Sequence, residues 1–354
     1  MPITIKEVAQ RAGCSIKTVS RVVNNEPHVK PALKERVLFA IEELGYVPNI
    51  SARQLVQKKS YTICILLHSS GSFQSTVISK VLELGYEGNY EILVQTYYPS
   101  FSRSRDKISA LIQQKRIDGL VTTPPCDSDP FLIELIKTSG IPHVHIAPLQ
   151  PTGGTPYVSA EDYTGAYQMT EYLIQQGHRR IGCLMGLRNH RSSLDRLFGY
   201  KAAIEAHSIS FDVNYLVDSE NNFPGGYNAV RMLMGLLEPP TAIFALSDEA
   251  AAGALYALNE LRIDVPGQVS LAAFGDITHS NEIWPGISVV KYPLEQIVEK
   301  SVCMLIELVE GRQPEERQVV VLSKSTHNST HTHPQYARLK LDKEGRLVKL
   351  SVSR

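Results

Sequence analysis

The residue types with the plainest chemical purpose fall into two sets. The first lies between Ser15 and Asn24. On a helix drawn from Ile16 to Val23 at roughly 100° per residue, Val19, Val22 and Val23 share one arc, while Ile16, Lys17, Ser20 and Arg21 share the other. The valine arc packs inward, and the second arc carries donors near the N-terminal end of the helix. The second set follows apolar runs along the rest of the chain: His68, Ser69, Ser70 and Phe73, then Pro124 and Pro125, then Asp162, His190, Ser192, Arg196, Phe223, Ser247, Asp248, Asp276 and Trp284. Planar forks that grip vicinal hydroxyls, beside flat aromatic faces for the C–H side, are what a sugar ring needs. Bond-making chemistry has no comparable support. The chain contains no G-x-S-x-G, H-E-x-x-H, G-x-x-x-x-G-K-[ST] or G-x-G-x-x-G, and scattered Ser, His and Asp make no triad without geometry. No cofactor, metal or catalytic residue is expected.

The elements that must position the first set are short helices. Thr4 and Glu7 have capping-box spacing, and Ile5, Val8, Ala9 and Ala12 recur with helical period, which predicts a helix from Ile5 to Ala12 ended by Gly13. Ser15 can cap the second helix. A third, from about Ala32 to Leu44, follows Pro31 and stops at Gly45. Two short helices joined by a Gly-containing turn, with a polar outer face on the second, form the helix-turn-helix arrangement that sets that face in a DNA major groove. Beyond Tyr61, strand-like runs (61–67, 91–96, 119–122, 142–146, 180–185, 242–246, 269–274) alternate with amphipathic stretches (103–115, 163–176, 194–206, 225–237, 249–261). That alternation predicts parallel sheets covered on both faces, in two similar lobes with a cleft between them. Ligands collect at the carboxyl ends of such strands, where the second set falls.

Composition agrees with a two-part molecule. The 354 residues are 43% apolar and 20% charged, with 36 basic and 36 acidic side chains. Disorder is excluded, and two or three domains are expected. Net neutrality hides a split: residues 1–60 hold ten Lys and Arg against five Glu, so the remainder holds 26 against 31. A basic module on an acidic body points to a polyanion partner for the module alone. Five cysteines, far apart and without C-x-x-C, argue against disulfides and a zinc ribbon and fit reduced thiols. No apolar run approaches the ~20 residues that cross a bilayer, and no export signal precedes Lys6 and Glu7. The expected location is the cytoplasm.

The literal string decides between this and three ordinary amphipathic helices. Ile3-Thr4-Ile5-Lys6-Glu7-Val8-Ala9, Ala12-Gly13-Cys14-Ser15, Thr18-Val19-Ser20-Arg21-Val22-Val23-Asn24, Arg36-Val37, Ala40-Ile41, Leu44-Gly45-Tyr46, Pro48-Asn49, Ala52-Arg53 and Leu55 closely resemble, in order, the headpiece and hinge of the lac repressor/purine repressor (LacI/GalR) family of bacterial transcriptional regulators. Gly177 to Gly182, Arg196 to Tyr200, Pro240 to Ile243 and Val269 to Asp276 carry the likeness into the body. The resemblance implies a headpiece over 1–48, a hinge over 49–60 and a periplasmic-binding-protein-like core over 61–323, with crossings near Ala160, Val290 and Ser323. It implies that Ile16, Lys17 and Arg21 reach base edges. Thr4, Ser15, Thr18, Ser20, Asn24, Asn49 and Arg53 are placed with them at the DNA, and Leu55 is expected to wedge into a central base step. Arginine or lysine paired with guanine discriminates by about 1–3 kcal/mol, and the other contacts position the duplex. Lys30 departs from the serine common before this proline, removing a hydroxyl cap. Ser247 departs from the asparagine common before the aspartate.

In the body the resemblance implies effector contacts from Arg196 and Asp276; a structural ion pair between these two is the plainer alternative, as core roles are for Phe223 and Trp284. The expected function is a homodimeric, operator-binding repressor of a carbohydrate catabolic operon. Thr122 to Pro125 and Ile146 to Pro148 look like strings from members controlling glucosides or related sugars. A purine- or other metabolite-responsive co-repressed regulator is the alternative, and a solute-binding or enzymatic α/β protein the rival of another class. Residues 324–354, with His327, His331 and His333 and a hairpin-like pattern around Lys343 to Gly345, have no assigned role and read as a basic tail or an added strand rather than a metal site.

Overall fold

Capping groups start and stop the N-terminal helices. In the computed structural model, which describes residues 3–23, 29–46, 59–68, 71–149, 154–188, 190–275, 285–322, 324–326, 337–341 and 347–352, helix α1 spans Ile5–Ala12. Glu7 Oε2 accepts from Thr4 N at 2.7 Å and Thr4 Oγ1 at 2.8 Å, placing an anion at the helix N-terminus. Gly13, at φ +61°, closes it, with Cys14 N donating to Ala9 O at 3.0 Å. Helix α2 spans Ile16–Val23 and α3 Pro31–Leu44. Lys30 precedes α3 without a side-chain cap, as its missing hydroxyl implies. Val8, Val19 and Val37, one from each helix, are fully buried with Ala9, Ala12, Val22 and Ala40. Burying each valine stabilises the unit by about 1.5–3 kcal/mol. Arg36 ties α3 to the end of α1, its Nη2 donating to Ala12 O at 2.5 Å.

The chain divides into two compact units, Met1–Tyr61 and Thr62–Arg354. In the second, two six-stranded sheets recur with one winding. Strands β1 (Thr62–Leu67), β2 (Glu91–Thr96), β3 (Gly119–Thr122), β4 (His143–Ile146), β5 (Tyr157–Ala160) and β11 (Gln318–Val321) form the first, in the order β2-β1-β3-β4-β5-β11, all parallel. Strands β6 (Ile181–Met185), β7 (Leu216–Asp218), β8 (Ala242–Ala245), β9 (Ser270–Gly275), β10 (Ser288–Lys291) and β12 (Lys324–Thr326) form the second, ordered β7-β6-β8-β9-β10-β12, with only β12 antiparallel. The inner strands are apolar on both faces; Ile63 to Leu67 and Ala242 to Ala245 are all buried. Such runs need covering on both sides, which the intervening helices supply.

Helices α4 (Ser72–Glu87), α5 (Ser102–Gln113), α6 (Pro130–Ser139) and α11 (Leu294–Val309) belong with the first sheet. Helices α7 (Asp162–Gln175), α8 (Arg191–Ala206), α9 (Phe223–Met234) and α10 (Asp248–Glu260) belong with the second. The chain therefore passes between lobes three times, from β5 to α7, from β10 to α11 and from β11 to β12. In both sheets the strand order reverses beside the first strand, between β1 and β3 and between β6 and β8. These switch points are where connections diverge and leave a crevice. A last antiparallel hairpin joins β13 (Ala337–Leu341) to β14 (Leu347–Val352). His327, His331 and His333 lie outside the described residues.

Candidate functional site

The outer face of α2 is presented by its inner face. Val19 and Val22 anchor the helix in the small core, which turns Ile16, 44% accessible, and the exposed Lys17 and Arg21 outward. Ser20 is half-buried. Ser15 and Thr18 shape the helix start: Ser15 Oγ accepts from Thr18 N at 3.1 Å and lies 2.9 Å from Thr18 Oγ1. Thr4 is held at the start of α1 by donating from N and Oγ1 to Glu7 Oε2. An isoleucine and two cations on one exposed face of a short helix can meet phosphates and base edges together. Asn24, Asn49, Arg53 and Leu55 lie outside the described residues.

Between the lobes the polar groups gather at the two switch points. His68 follows β1, its Nδ1 3.2 Å from Tyr97 O, and half-buried Phe73 stands in the first turn of α4. From the other lobe come His190, which precedes α8, and Ser247, which precedes α10. Burial lowers the His190 pKa, helped by the nearby His68 of the opposite lobe and then by Arg196. Ser247 Oγ accepts from Ala250 N at 3.3 Å, so its oxygen caps α10 while its O–H proton remains to be donated. Ser70, Asp276 and Trp284 lie outside the described residues.

The centre of this arrangement is an ion pair. Arg196 Nε donates to Asp162 Oδ1 at 2.7 Å, with side chains 11% and 4% accessible. Its Nη1 donates to Leu246 O at 2.7 Å, and the guanidinium lies 3.9 Å from the Phe274 ring centroid and 5.2 Å from that of Tyr292. Burial raises the Asp162 pKa, and the guanidinium opposes that rise. Burial likewise raises Asp248, which accepts from Glu249 N. Asp162, nominated as a separate ligand contact, is thus the partner that holds the Arg196 fork, a role that sequence reasoning weighed for Asp276. Two helices make the pair possible. Gly199 of α8 lies against the backbone of Tyr163 in α7, where any Cβ would overlap it, and this close approach brings Asp162 and Arg196 together.

Phe223 goes elsewhere. At the first position of α9 it is 44% accessible and packs on Tyr256 of α10, with ring centroids 5.8 Å apart, on an outer face that also carries Tyr227. It is therefore not core, as the plainer reading had it. The residue turned inward is Asn221. Glu220 and Asn221 are consecutive left-handed residues at φ +52° and +53°, and the side chain of Asn221 fills the space beside Gly186 and Ser193. Its Oδ1 is buried without a hydrogen-bond partner among the described residues, which marks it as a group awaiting a donor. Sequence reasoning missed it because Asn-Asn after a strand reads as an ordinary turn; only the backbone angles aim it. Phe274 was missed because it read as strand core, and Tyr292 because no strand was read before it.

A second opening lies at the hinge. A cavity of about 290 Å³ is walled by β5, β11 and the first turns of α7 and α8. Of the nominated residues that are described, Asp162 and Ser192 line it. No group of three or more His, Cys, Asp or Glu among the described residues is placed to hold a metal.

Residues 4–49 match the model of bacterial regulatory proteins of the lacI family, and residues 170–328 match that of a periplasmic binding protein-like domain. The HTH-type transcriptional regulator GalR of Escherichia coli (strain K12) is 33% identical over 311 residues, covering 87% of this chain and 90% of that protein. The chain belongs to the lacI family. The probable HTH-type transcriptional repressor ExuR of Bacillus subtilis (strain 168) is 31% identical over 312 residues, covering 87% of this chain and 92% of its own length. Among solved structures, the complex of the transcriptional regulator CelR with cellobiose superposes at a TM-score of 0.70 with 26% identity, over 91% of this chain and 98% of that one. As a lacI-family member the protein is a DNA-binding transcriptional regulator. Its two sheets are the periplasmic-binding-protein-like core. Among the described residues no helix is long and apolar enough to cross a membrane.

Proposed function

We propose that this lacI-family member is a cytoplasmic, homodimeric repressor of carbohydrate-use genes, and that a neutral sugar-like effector held between its lobes sets its operator affinity. The observation that carries the effector half is the Arg196 fork. Asp162 and Leu246 O hold Nε and Nη1, Phe274 and Tyr292 flank the guanidinium, and among the described residues nothing bonds to Nη2. A pre-set donor beside a ring of polar groups suits a hydroxyl, and the neighbouring carboxylates Asp162 and Asp248 disfavour an anion. Binding is the chemistry this supports; the protein is not an enzyme. Because effector groups come from both lobes, occupancy favours one lobe arrangement over another and biases the equilibrium toward it.

Dimerisation has support at both lobes. Leu82 and Tyr86 on α4 and Val94 on β2 are exposed in the first lobe, as are Phe223, Tyr256 and Met232 in the second. One helix-turn-helix per chain reads one half-site, so a two-fold pair reads a palindrome. Within that reading Ile16, Lys17 and Arg21 contact bases, Thr4, Ser15, Thr18, Ser20, Asn24, Asn49 and Arg53 position the duplex, and Leu55 wedges the central step from the minor groove. The test is a gel-shift titration on palindromic sites near the gene, with and without a panel of monosaccharides, glucosides and purines. A sugar should change the affinity of the wild type and not of Arg196→Ala. Binding of every panel member without any change in operator affinity would end the effector reading, and a purine response would redirect it. Leu55→Ala should weaken operator binding while leaving effector binding intact.

A further inference from the structure

Residues 324–354 differ in charge from the body they follow. They hold seven Lys and Arg against two acidic residues, whereas residues 61–323 hold 19 against 29. Both acids, Asp342 and Glu344, fall in sequence between β13 and β14, so the two strands themselves carry cations alone. Pairing sorts the strand residues by face, because successive residues alternate between faces and directly paired residues share one. The register Ala337↔Val352, Arg338↔Ser351, Leu339↔Leu350, Lys340↔Lys349 and Leu341↔Leu347 therefore puts three cations, Arg338, Lys340 and Lys349, on one face with Ser351. Every residue paired on the other face is apolar. We propose that the cationic face of this hairpin is a second site for duplex DNA, independent of base sequence and separate from the headpiece.

Two observations point to a polyanion. Lys340 stands directly opposite Lys349, and Arg338 lies two positions away on the strand of Lys340. Like charges directly opposite one another destabilise a strand pair, and neither strand holds an acidic residue to offset them. A run of phosphates laid along the ribbon removes that repulsion. The second observation is the apolar face. A two-stranded hairpin is marginal in water by itself, and β13 lies beside β12, the edge strand of the second sheet. The hairpin is thus part of the body and no free ribbon. Antiparallel strands with one apolar and one polar face give the apolar one to protein, which leaves the cations to a partner.

Shape and setting favour duplex DNA among polyanions. The major groove, about 12 Å wide, admits a two-stranded ribbon, whose strands lie only about 4.8 Å apart. Residues two apart on one strand, as Arg338 and Lys340 are, are spaced by about 6.8 Å, so the face meets a charged lattice and not a single ion. Cations that meet phosphates hold a duplex without reading it. A lacI-family regulator already works on duplex DNA, and each further phosphate neutralised steepens its salt dependence by about 0.9 in log K. The proposal does not rest on the effector reading and holds for one chain or for two.

The experiment is fluorescence anisotropy of the full-length protein on a labelled duplex that lacks any palindrome, at several salt concentrations, with phosphatidylserine vesicles as a second arm. Arg338→Thr, Lys340→Thr and Lys349→Thr together replace the cations with a residue that favours strands. That variant should bind the duplex about tenfold more weakly at low salt, with a slope shallower by about 2 to 3. Lys340→Glu separates an anion site from a structural role. It sets a carboxylate opposite Lys349, which favours the strand pair, yet it should weaken duplex binding by about three- to tenfold. The comparison is repeated in a Lys17→Ala, Arg21→Ala background, where the threonine substitutions should still lower the residual affinity and slope; failure of the headpiece reading and failure of this one are thereby told apart. The proposal is overturned if the threonine variant stays within about twofold of the wild type with an unchanged slope, or if Lys340→Glu binds the duplex as tightly as the wild type. It is overturned equally if the cations matter to the vesicles and not to the duplex, which would assign the face to a lipid surface.

Discussion

At the scale of single residues, the buried ion pair and the buried histidines decide most. Arg196 and Asp162 are so little accessible that neither is rescued by water when its partner is removed. Arg196→Met should destabilise the core by about 3–5 kcal/mol in urea unfolding, whereas Asp162→Asn combined with Arg196→Met should recover much of that loss. A single variant within about 1 kcal/mol of the wild type would show that the pair contributes little. The histidines of β4 carry a pH dependence with a definite sign. Burial lowers the His143 pKa and pushes that of His145 down to about 3, where Thr122 Oγ1 is its partner. A folded-state pKa below the unfolded value near 6.5 means that the unfolded chain binds the proton more readily. Stability is therefore complete above about pH 6.5 and declines as pH falls from 6.5 toward 3, by up to about 1.4 kcal/mol per unit from His145 alone. His145→Gln should flatten that decline in a series of denaturant midpoints between pH 7 and pH 4.5.

At the scale of elements, the headpiece depends on one turn. Gly13 sits at φ +61°, and a Cβ there would lie 2.8 Å from Arg36 Nη2, the group that bonds the end of α1. Gly13→Ala should lower headpiece stability by about 1–2 kcal/mol from backbone strain, and by more through the displaced Arg36 bond, read as a lowered first transition in thermal unfolding. Ser15→Ala should cost about 1 kcal/mol through the lost cap of α2. These elements were legible in the sequence because their signals are local. Thr4 and Glu7 are three apart, Gly13 and Gly45 follow the last apolar residue of their helices, and Val19 and Val22 recur at helical spacing. The inner strands were legible for a related reason: Ile63 to Leu67 and Ala242 to Ala245 are apolar without alternation, as strands buried on both faces must be. Less legible were β7 and β5, three and four residues long, whose pairing comes from neighbours distant in sequence.

At the scale of the whole molecule, the protein joins a cationic reader to an acidic clamp. Binding that relies on phosphate contacts releases counterions, so log K should fall linearly with log salt, by about 0.9 per phosphate neutralised. Lys17→Ala should reduce that slope and weaken binding to all duplexes alike if the lysine meets phosphate, or relax sequence preference if it meets a base edge. Fluorescence anisotropy on one palindrome and one scrambled duplex, at several salt concentrations, separates the two. A slope near zero for the full-length protein would contradict the polyanion reading of its basic module.

The sequence by itself determined the helix-turn-helix module and the class of fold, because caps, helical period, uninterrupted apolar runs and charge segregation are written within short windows. Which polar groups meet was decided only in three dimensions. Asp162 and Arg196 are far apart in the chain and pair because Gly199 lets two helices touch. Phe223 turns to an outer face and Asn221 inward because two left-handed residues redirect the backbone after β7. The hinge cavity exists because the chain crosses between its sheets three times, and no window of sequence contains all of its walls.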